Sequence, residues 1–302
     1  MASSPLLFLS LLLFAPLALA GHGPSGPPVP HGGPLLTRSI NLSLIWYGPF
    51  GRVQKRVIRT FISSLNYNGG ANLEPQVSSW WRVVESYQSF ARPGPPGPAP
   101  PINVKVVKQE VDINFSVGKV LTVDFLNILA QKAAAGTPAG SLAVIFAGSG
   151  VTVQGLCMGK CSIHGLNGPQ PYLVVGNPEI ECPGSCAWPF FPSDYGPKGV
   201  ILQPPNKNVA ADAMVIALAS GLAETVTNPF NNGFYSGIPT QPTEISDACP
   251  NMFGSGALPG YTGKVRIDPA TGGAFNAHGP RGRKYLLPAI WNPRTNSCYT
   301  PL

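Results

Sequence analysis

Charge is the first scarcity of this chain: 11% of its 302 residues are Asp, Glu, Lys or Arg. The 20 basic residues outnumber the 13 acidic ones, for a net charge of +7, but they are scattered. The one dense run is Arg281-Gly-Arg283-Lys284, which argues against a nucleic-acid stripe and leaves simple electrostatic attraction to acidic polysaccharide or anionic surfaces. Histidine is rarer still, at four residues, and His22 and His31 fall in a Gly/Pro-rich leader. No HExxH, GxSxG or phosphate-cradling P-loop motif occurs, so the commonest metalloprotease, serine-hydrolase and nucleotide-binding signatures are excluded. No internal repeat is visible, the first half has no cysteine, and no stretch after the N-terminus approaches 18 apolar residues, so no transmembrane span is expected.

The N-terminus itself is legible. Residues 1–20 carry no charge, are mostly apolar from Leu6 to Ala15 and end small-x-small at Ala18-Leu19-Ala20, the pattern of a secretory signal peptide. Residues 21–33, GHGPSGPPVPHGG, have no apolar pattern to fold on and are expected to form a flexible leader. The remaining 34–302 are long enough for one large domain. With 35 Gly and 35 Pro the chain is loop-rich while staying short of a disordered composition.

Strands and helices alternate in the first half. Ile40–Tyr47 is apolar and β-rich, closed by Gly48-Pro49, and predicts a buried strand. A helix follows over Val53–Leu65, with Val57, Ile58, Phe61, Ile62 and Leu65 on one face. A second, Val77–Tyr87, places Trp80, Trp81 and Val84 in the core rather than on a sugar platform. After the Pro-rich loop 92–101 come strands at Ile102–Val107 and Val111–Phe115, a helix over Thr122–Ala135 and a strand at Leu142–Phe146. In the second half Met214, Leu218, Leu222 and Val226 recur every four residues with Ala, Ser and Gly between them, a small-residue helix stopped by Asn228-Pro229.

All six cysteines lie in that second half: Cys157, Cys161, Cys182, Cys186, Cys249 and Cys298. In a secreted chain they read as three disulfides of undetermined pairing, against a zinc site of four thiolates plus His164. Sequons stand at Asn41 and Asn114, the second being better placed for glycosylation. Candidate acid/base groups are His164, His278, Glu224, Glu244 and Asp247; a glycosidase would need two carboxylates facing across a cleft.

Several long motifs, INLSLIWYG (40–48), SSWW (78–81), GLCMGKCSIHG (155–165), VVGNPEIECPGSCAWPF (174–190), ASGLAETVTNPFNNGF (219–234) and FNAHGPRGRKYLLPAIWNP (275–293), resemble the plant EXORDIUM family, also called the phosphate-induced protein family. The resemblance runs from about Gly33 to Leu302. It implies a secreted protein of the cell-wall space, the apoplast, associated with brassinosteroid-responsive growth and cell expansion, and it supplies no established catalytic residues. A shorter stretch, ASGLAETVTNP followed by Glu244-Ile-Ser-Asp-Ala-Cys249, is similar to the active-site region of secreted zincin-type proteins. There a helical His and its i+4 partner face one metal, with the adjacent Glu as general base. Here Ser220 and Gly221 stand in the first two positions while Glu224 remains, which implies a vestigial site; any metal would need His164 and Asp247 to converge on Glu224.

The expected architecture is therefore a single α+β domain with a mixed, partly parallel sheet, a central small-residue helix and a disulfide-stapled, loop-rich C-terminal half, to which the second resemblance adds a zincin-like fold as an expectation. No cofactor is expected. The expected partner is a cell-wall component or an extracellular protein, and the expected activity is non-enzymatic binding, with a hydrolase acting on wall polysaccharide or protein as the alternative.

Overall fold

The structure is a computed structural model that describes residues 26–301 except 93, 195–198, 200 and 259. The signal peptide therefore lies outside the described residues. The elements of the first half are β1 (Val29–Pro30), β2 (Ser39–Tyr47), α1 (Arg52–Ser64), α2 (Val77–Phe90), β3 (Asn103–Asp112), β4 (Val120–Leu121), α3 (Val123–Ala134) and β5 (Leu142–Ala147). They are followed by β6 (Thr152–Val153), β7 (Ser162–Asn167), β8 (Gln170–Val175), the one-turn helix α4 (Pro183–Cys186), α5 (Val209–Thr227), β9 (Phe234–Ile238) and β10 (Gln241–Thr243). Short two-stranded pieces complete the C-terminal part.

A five-stranded sheet in the order β3-β2-β5-β8-β7 forms the middle layer. Its first four strands are parallel and the edge strand β7 runs antiparallel to β8. Because side chains alternate along a strand, β2 serves both faces. Leu42, Leu44 and Trp46 pack with α1, α2 and α5 on one side, while Ile45 and Tyr47 pack with Leu126, Leu129 and Ala133 of α3 on the other. Ser43, buried on the α3 side, donates its hydroxyl to the Ala133 carbonyl at 2.7 Å. Helices and strands are thus interleaved in three layers, a mixed α/β arrangement where a single α+β domain with a mixed sheet is the expectation. The mixed sheet, the central helix and the disulfides stand as expected.

The core explains the element choices. Trp80 and Trp81 are fully buried, and their indole N–H groups donate to the carbonyls of Pro288 and Ile102 at 2.8 and 3.0 Å. Burying each such side chain contributes roughly 2–3 kcal/mol. Helix α5 is apolar on all sides and buried along almost its whole length. It has the length and hydropathy of a membrane span, yet it packs against α1, β7 and β8. Asn208 caps it, accepting from the Ala211 N–H at 2.8 Å.

Two expectations change, and two open points are decided. The strands expected at Ile102–Val107 and Val111–Phe115 are the single strand β3, because pairing with β2 runs unbroken to Asp112 apart from one register shift. The leader is not free beyond Gly26: Val29–Pro30 pairs with Phe234 and Tyr235, and the His31 ring stacks on Tyr235 with centroids 3.7 Å apart. Asn41 lies half-buried inside β2, whereas Asn114 is exposed in the turn after β3. The cysteines pair as Cys157–Cys182, Cys161–Cys186 and Cys249–Cys298, which removes the zinc–thiolate alternative.

Candidate functional site

Four segments meet at the edge of the sheet beside α5. The first is the loop before β7, where Cys157 and Cys161 are both tied to the α4 turn and hold Lys160 between them. The second is β7, whose Ser162 and His164, two residues apart, lie on one face. Ser162 donates to the Ala217 carbonyl of α5 at 2.8 Å. The third is α5, on which Ser220 and Glu224 are one turn apart. The fourth is the turn Glu244–Cys249, anchored by the Cys249–Cys298 bridge and by the Trp291 N–H donating to the Ile245 carbonyl at 2.8 Å.

These segments bring three carboxylates together. Glu224, Glu244 and Asp247 each place an oxygen within 4.8 Å of the other two. Each has an internal partner. The Lys160 ammonium pairs with Asp247, and the Ser246 hydroxyl bonds to Glu224 Oε1. His164 Nε2 meets both oxygens of Glu244 at 2.9 and 3.0 Å, and Asn228 Nδ2 donates to Glu244 Oε1 at 2.7 Å. The Glu244 N–H donates to Asp247 Oδ2 at 3.1 Å, closing the ring of contacts.

Environment separates the three acids. Complete burial pushes the Glu224 carboxyl well above the usual carboxylate range; nearby Lys160 opposes the rise, while Asp247 and Glu244 reinforce it. Glu244 is buried too, but His164 and Asn228 outweigh desolvation and hold its carboxyl below the usual range. Burial works against the Lys160 ammonium, yet Glu224 and Asp247 overcome it and raise its pKa.

Two cavities open on this cluster and meet at Lys160, Ser162 and Glu224. One, about 200 Å³, is walled by Trp188 and Phe253, whose rings lie 5.8 Å apart, with Ser220 and Ser246 on its polar side. The other, about 570 Å³, runs past His164 to the β9–β10 hairpin, and is lined there by Thr240 and Gln241 and by Asn231 of the turn after α5.

The sequence-derived candidates distribute unevenly over this site. Glu224, Glu244, Asp247 and His164 all converge here, and Ser220 lines the smaller cavity. Gly221 does not: a Cβ at that position would lie 2.6 Å from both Leu173 Cδ1 and Ser162 Oγ, so its role is close packing of α5 on the sheet. His278 is elsewhere, beside Phe275 and bridged to Gln76. The proposed metal set of His164, Glu224 and Asp247 is also revised, since Glu244 takes the place of His164, whose Nε2 it occupies. Three carboxylates, with an ammonium already among them and a hydroxyl at position 220, do not fit a zinc centre. Lys160, Asn228, Ser246 and Trp188 are not among the site candidates that the sequence offers, Asn228 standing out only as a helix stop. The bracketing of Lys160 by Cys157 and Cys161 was the available signal that its position is held.

The family model described as "Phosphate-induced protein 1 conserved region" matches residues 30–301. The chain belongs to this family. Protein EXORDIUM-like 2 of Arabidopsis thaliana is 43% identical over 280 residues, covering 89% of this chain and 88% of that one. Protein EXORDIUM of Arabidopsis thaliana is 41% identical with 89% and 88% covered, and Protein PHOSPHATE-INDUCED 1 of Nicotiana tabacum 40% identical with 89% and 87% covered. No solved structure matches the chain. Family membership and the three disulfides, with every described cysteine paired, are those of a chain that folds in an oxidising, secretory compartment.

Proposed function

We propose that this EXORDIUM-family protein acts in the apoplast as a binding protein, taking a hydroxyl-rich saccharide of the cell wall into the double cavity at the sheet edge. A role in growth and cell expansion would then follow from what the cleft captures. The observation that carries the reading is the internal pairing of the charged cluster: each carboxylate already has a side-chain partner, so the cluster shapes the cleft instead of presenting a free nucleophile or metal ligand. What remains for a ligand is an aromatic wall, half-buried Trp188 backed by buried Phe253, in a cavity that also holds the Ser220 hydroxyl. An apolar face opposite a few convergent polar groups suits a sugar ring.

Titration calorimetry of the mature protein with a panel of wall oligosaccharides tests this. One class should bind, and Trp188→Ala should weaken it by about tenfold, equivalent to about 1.4 kcal/mol. No binding by any member, or an unchanged affinity in the variant, removes the cleft reading. The hydrolase alternative rests on one observation, the opposite shifts of Glu224 and Glu244, which separate a potential acid from a potential base. Product release from the bound oligosaccharide that stops in Glu224→Gln would replace the binding reading with that one.

A further inference from the structure

Among the described residues a second concentration of charge lies on α1, and its character is unlike that of the cleft. Helix α1 turns Arg52, Lys55, Arg56 and Arg59 to one face, at spacings of three and four residues. Arg281 and Arg283 join them across a groove of about 660 Å³ that is floored by Thr60, Ser63 and Tyr67. A second groove, about 490 Å³, continues along α1 to Arg52 and shares Arg56, Arg59, Thr60 and Ser63 with the first. No carboxylate lines either groove. Among the described residues no ion pair or hydrogen bond engages the side chains of Arg52, Arg56, Arg59 or Arg281, while Lys55 rests over the Trp46 ring and Arg283 reaches Asn206 at 3.4 Å.

A solvated basic helix face is common, but three features set this one apart. Arg52/Lys55, Arg52/Arg56, Lys55/Arg59 and Arg56/Arg59 are like-charge neighbours, each unfavourable by about 0.2–0.5 kcal/mol. Three of the four cations lie near the helix N-terminus, where the macrodipole favours acids, and the first turn has none. Arg281 adopts a left-handed backbone, φ 56° and ψ 39°, which is unfavourable for a residue with a side chain. Local stability is therefore lower than a neutral sequence would give, in return for a continuous line of guanidinium groups.

We infer that this double groove is a binding site for a linear polyuronate, an acidic wall polysaccharide whose successive carboxylates meet the arginines. Five of the six cations are Arg, whose planar fork matches a carboxylate bidentately. On the floor the Thr60 and Ser63 hydroxyls, which donate to the Arg56 and Thr60 carbonyls, keep lone pairs that accept from sugar hydroxyls, the Tyr67 hydroxyl joins them, and none is an apolar wedge for a lipid surface. Arg52 to Arg59 spans about 10 Å of helix, with Arg281 extending the line, so the site takes a chain rather than one anion. This site is separate from the carboxylate cleft, and it would hold the protein on the wall while the cleft remains free.

The test is binding of the mature secreted protein to immobilised polygalacturonate between about 50 and about 200 mM salt. A triple variant, Arg52→Gln, Arg56→Gln and Arg59→Gln, is compared with an equal neutralisation elsewhere, Lys105→Gln, Lys119→Gln and Lys264→Gln, all exposed. The groove variant should lose at least about tenfold in affinity and much of the salt dependence, while the control changes by less than about threefold. Arg281→Gly, which suits the left-handed backbone, should also weaken binding, and a fully methyl-esterified polymer should not bind. Thermal unfolding of the groove variant should be unchanged or slightly raised, which separates lost binding from lost folding. Equal losses in both triple variants would overturn the proposal in favour of diffuse net charge. Undiminished binding of the esterified polymer, or retention on acidic-lipid vesicles without retention on polyuronate, would overturn it as well.

Discussion

The two concave regions of this protein treat charge in opposite ways. At the sheet edge, three carboxylates, an ammonium and an imidazole are drawn together and pair with one another or with a neighbouring side chain, although the buried His164 Nδ1 has no partner among the described residues, and Glu224 and Glu244 are almost fully buried. On α1, four cations share an exposed face and satisfy almost nothing inside the molecule. The physical reason is solvation. A charge removed from water must be paired or neutralised, whereas an exposed guanidinium keeps its hydration until a partner arrives. Internal pairing therefore marks a structural frame around a cleft, and unpaired exposure marks a contact surface.

The sharpest way to break this comparison is to remove the central cation. Lys160→Met leaves Asp247 and Glu224 without their ammonium and should cost about 2.5 kcal/mol near neutral pH, below the roughly 3–5 kcal/mol of a fully buried pair because Lys160 keeps 34% of its side chain exposed to screening solvent. Adding Asp247→Asn should recover part of it; denaturant unfolding of both variants checks the pair, and a single variant as stable as the parent would show that the cluster is not mutually dependent.

Next in size is the packing beneath the cluster. Gly221→Ala drives a Cβ into Leu173 and Ser162 and should destabilise by about 2 kcal/mol, measured the same way. A neutral result would mean that α5 can lift from the sheet without cost.

The buried acid supplies a pH dependence. Because the Glu224 pKa is raised in the folded state, the folded protein holds that proton after the unfolded chain has released it. Its contribution to stability therefore falls as pH rises from the ordinary carboxylate value, 4.5, towards the raised one. Glu224→Gln should flatten this portion by up to about 1.4 kcal/mol per pH unit, as read from unfolding curves across pH. Glu244, lowered by His164 and Asn228, has the opposite sign: its stabilisation is present above 4.5 and fades on acidification below it.

The smallest effect belongs to the exposed face. Arg56→Glu relieves two like-charge contacts near the start of α1 and should stabilise the fold by about 0.5 kcal/mol, while weakening polyuronate binding. A destabilised variant would mean that Arg56 has an internal role which the exposed face does not show.

Periodicity made the regular layers readable in advance. Ile40–Tyr47 and Leu142–Phe146 are apolar runs too short for helices, and Val57, Ile58, Phe61 and Ile62 repeat at helical spacing, so these strands and α1 could be placed from local pattern alone. The edge strand β7 has no alternation to detect, since Ser162–Asn167 mixes Ser, His, Gly and Asn with Ile163 and Leu166 and is mostly half-buried, whereas β8 is a short buried apolar run, Tyr172–Val175, that local pattern alone could have placed. The site was half legible for a related reason. Glu224, Glu244, Asp247 and His164 stood out by residue type, but Lys160 and Asn228 are ordinary residues until the fold brings them to the same point.

By itself, the sequence determined the secretory character, the family, the apolar helix α5 and the chemistry-bearing residues, because composition, motifs and 3.6-residue periodicity are local properties. Tertiary structure alone decided which cysteines pair, that Gly221 faces the sheet while Ser220 and Glu224 face a cavity, and that Lys160 stands among three acids. It likewise joined Arg281 and Arg283 to a helix more than 200 residues earlier in the chain. Those outcomes depend on contacts between segments far apart in sequence, whose relative placement is set by burial of the shared core and by no pattern within either segment.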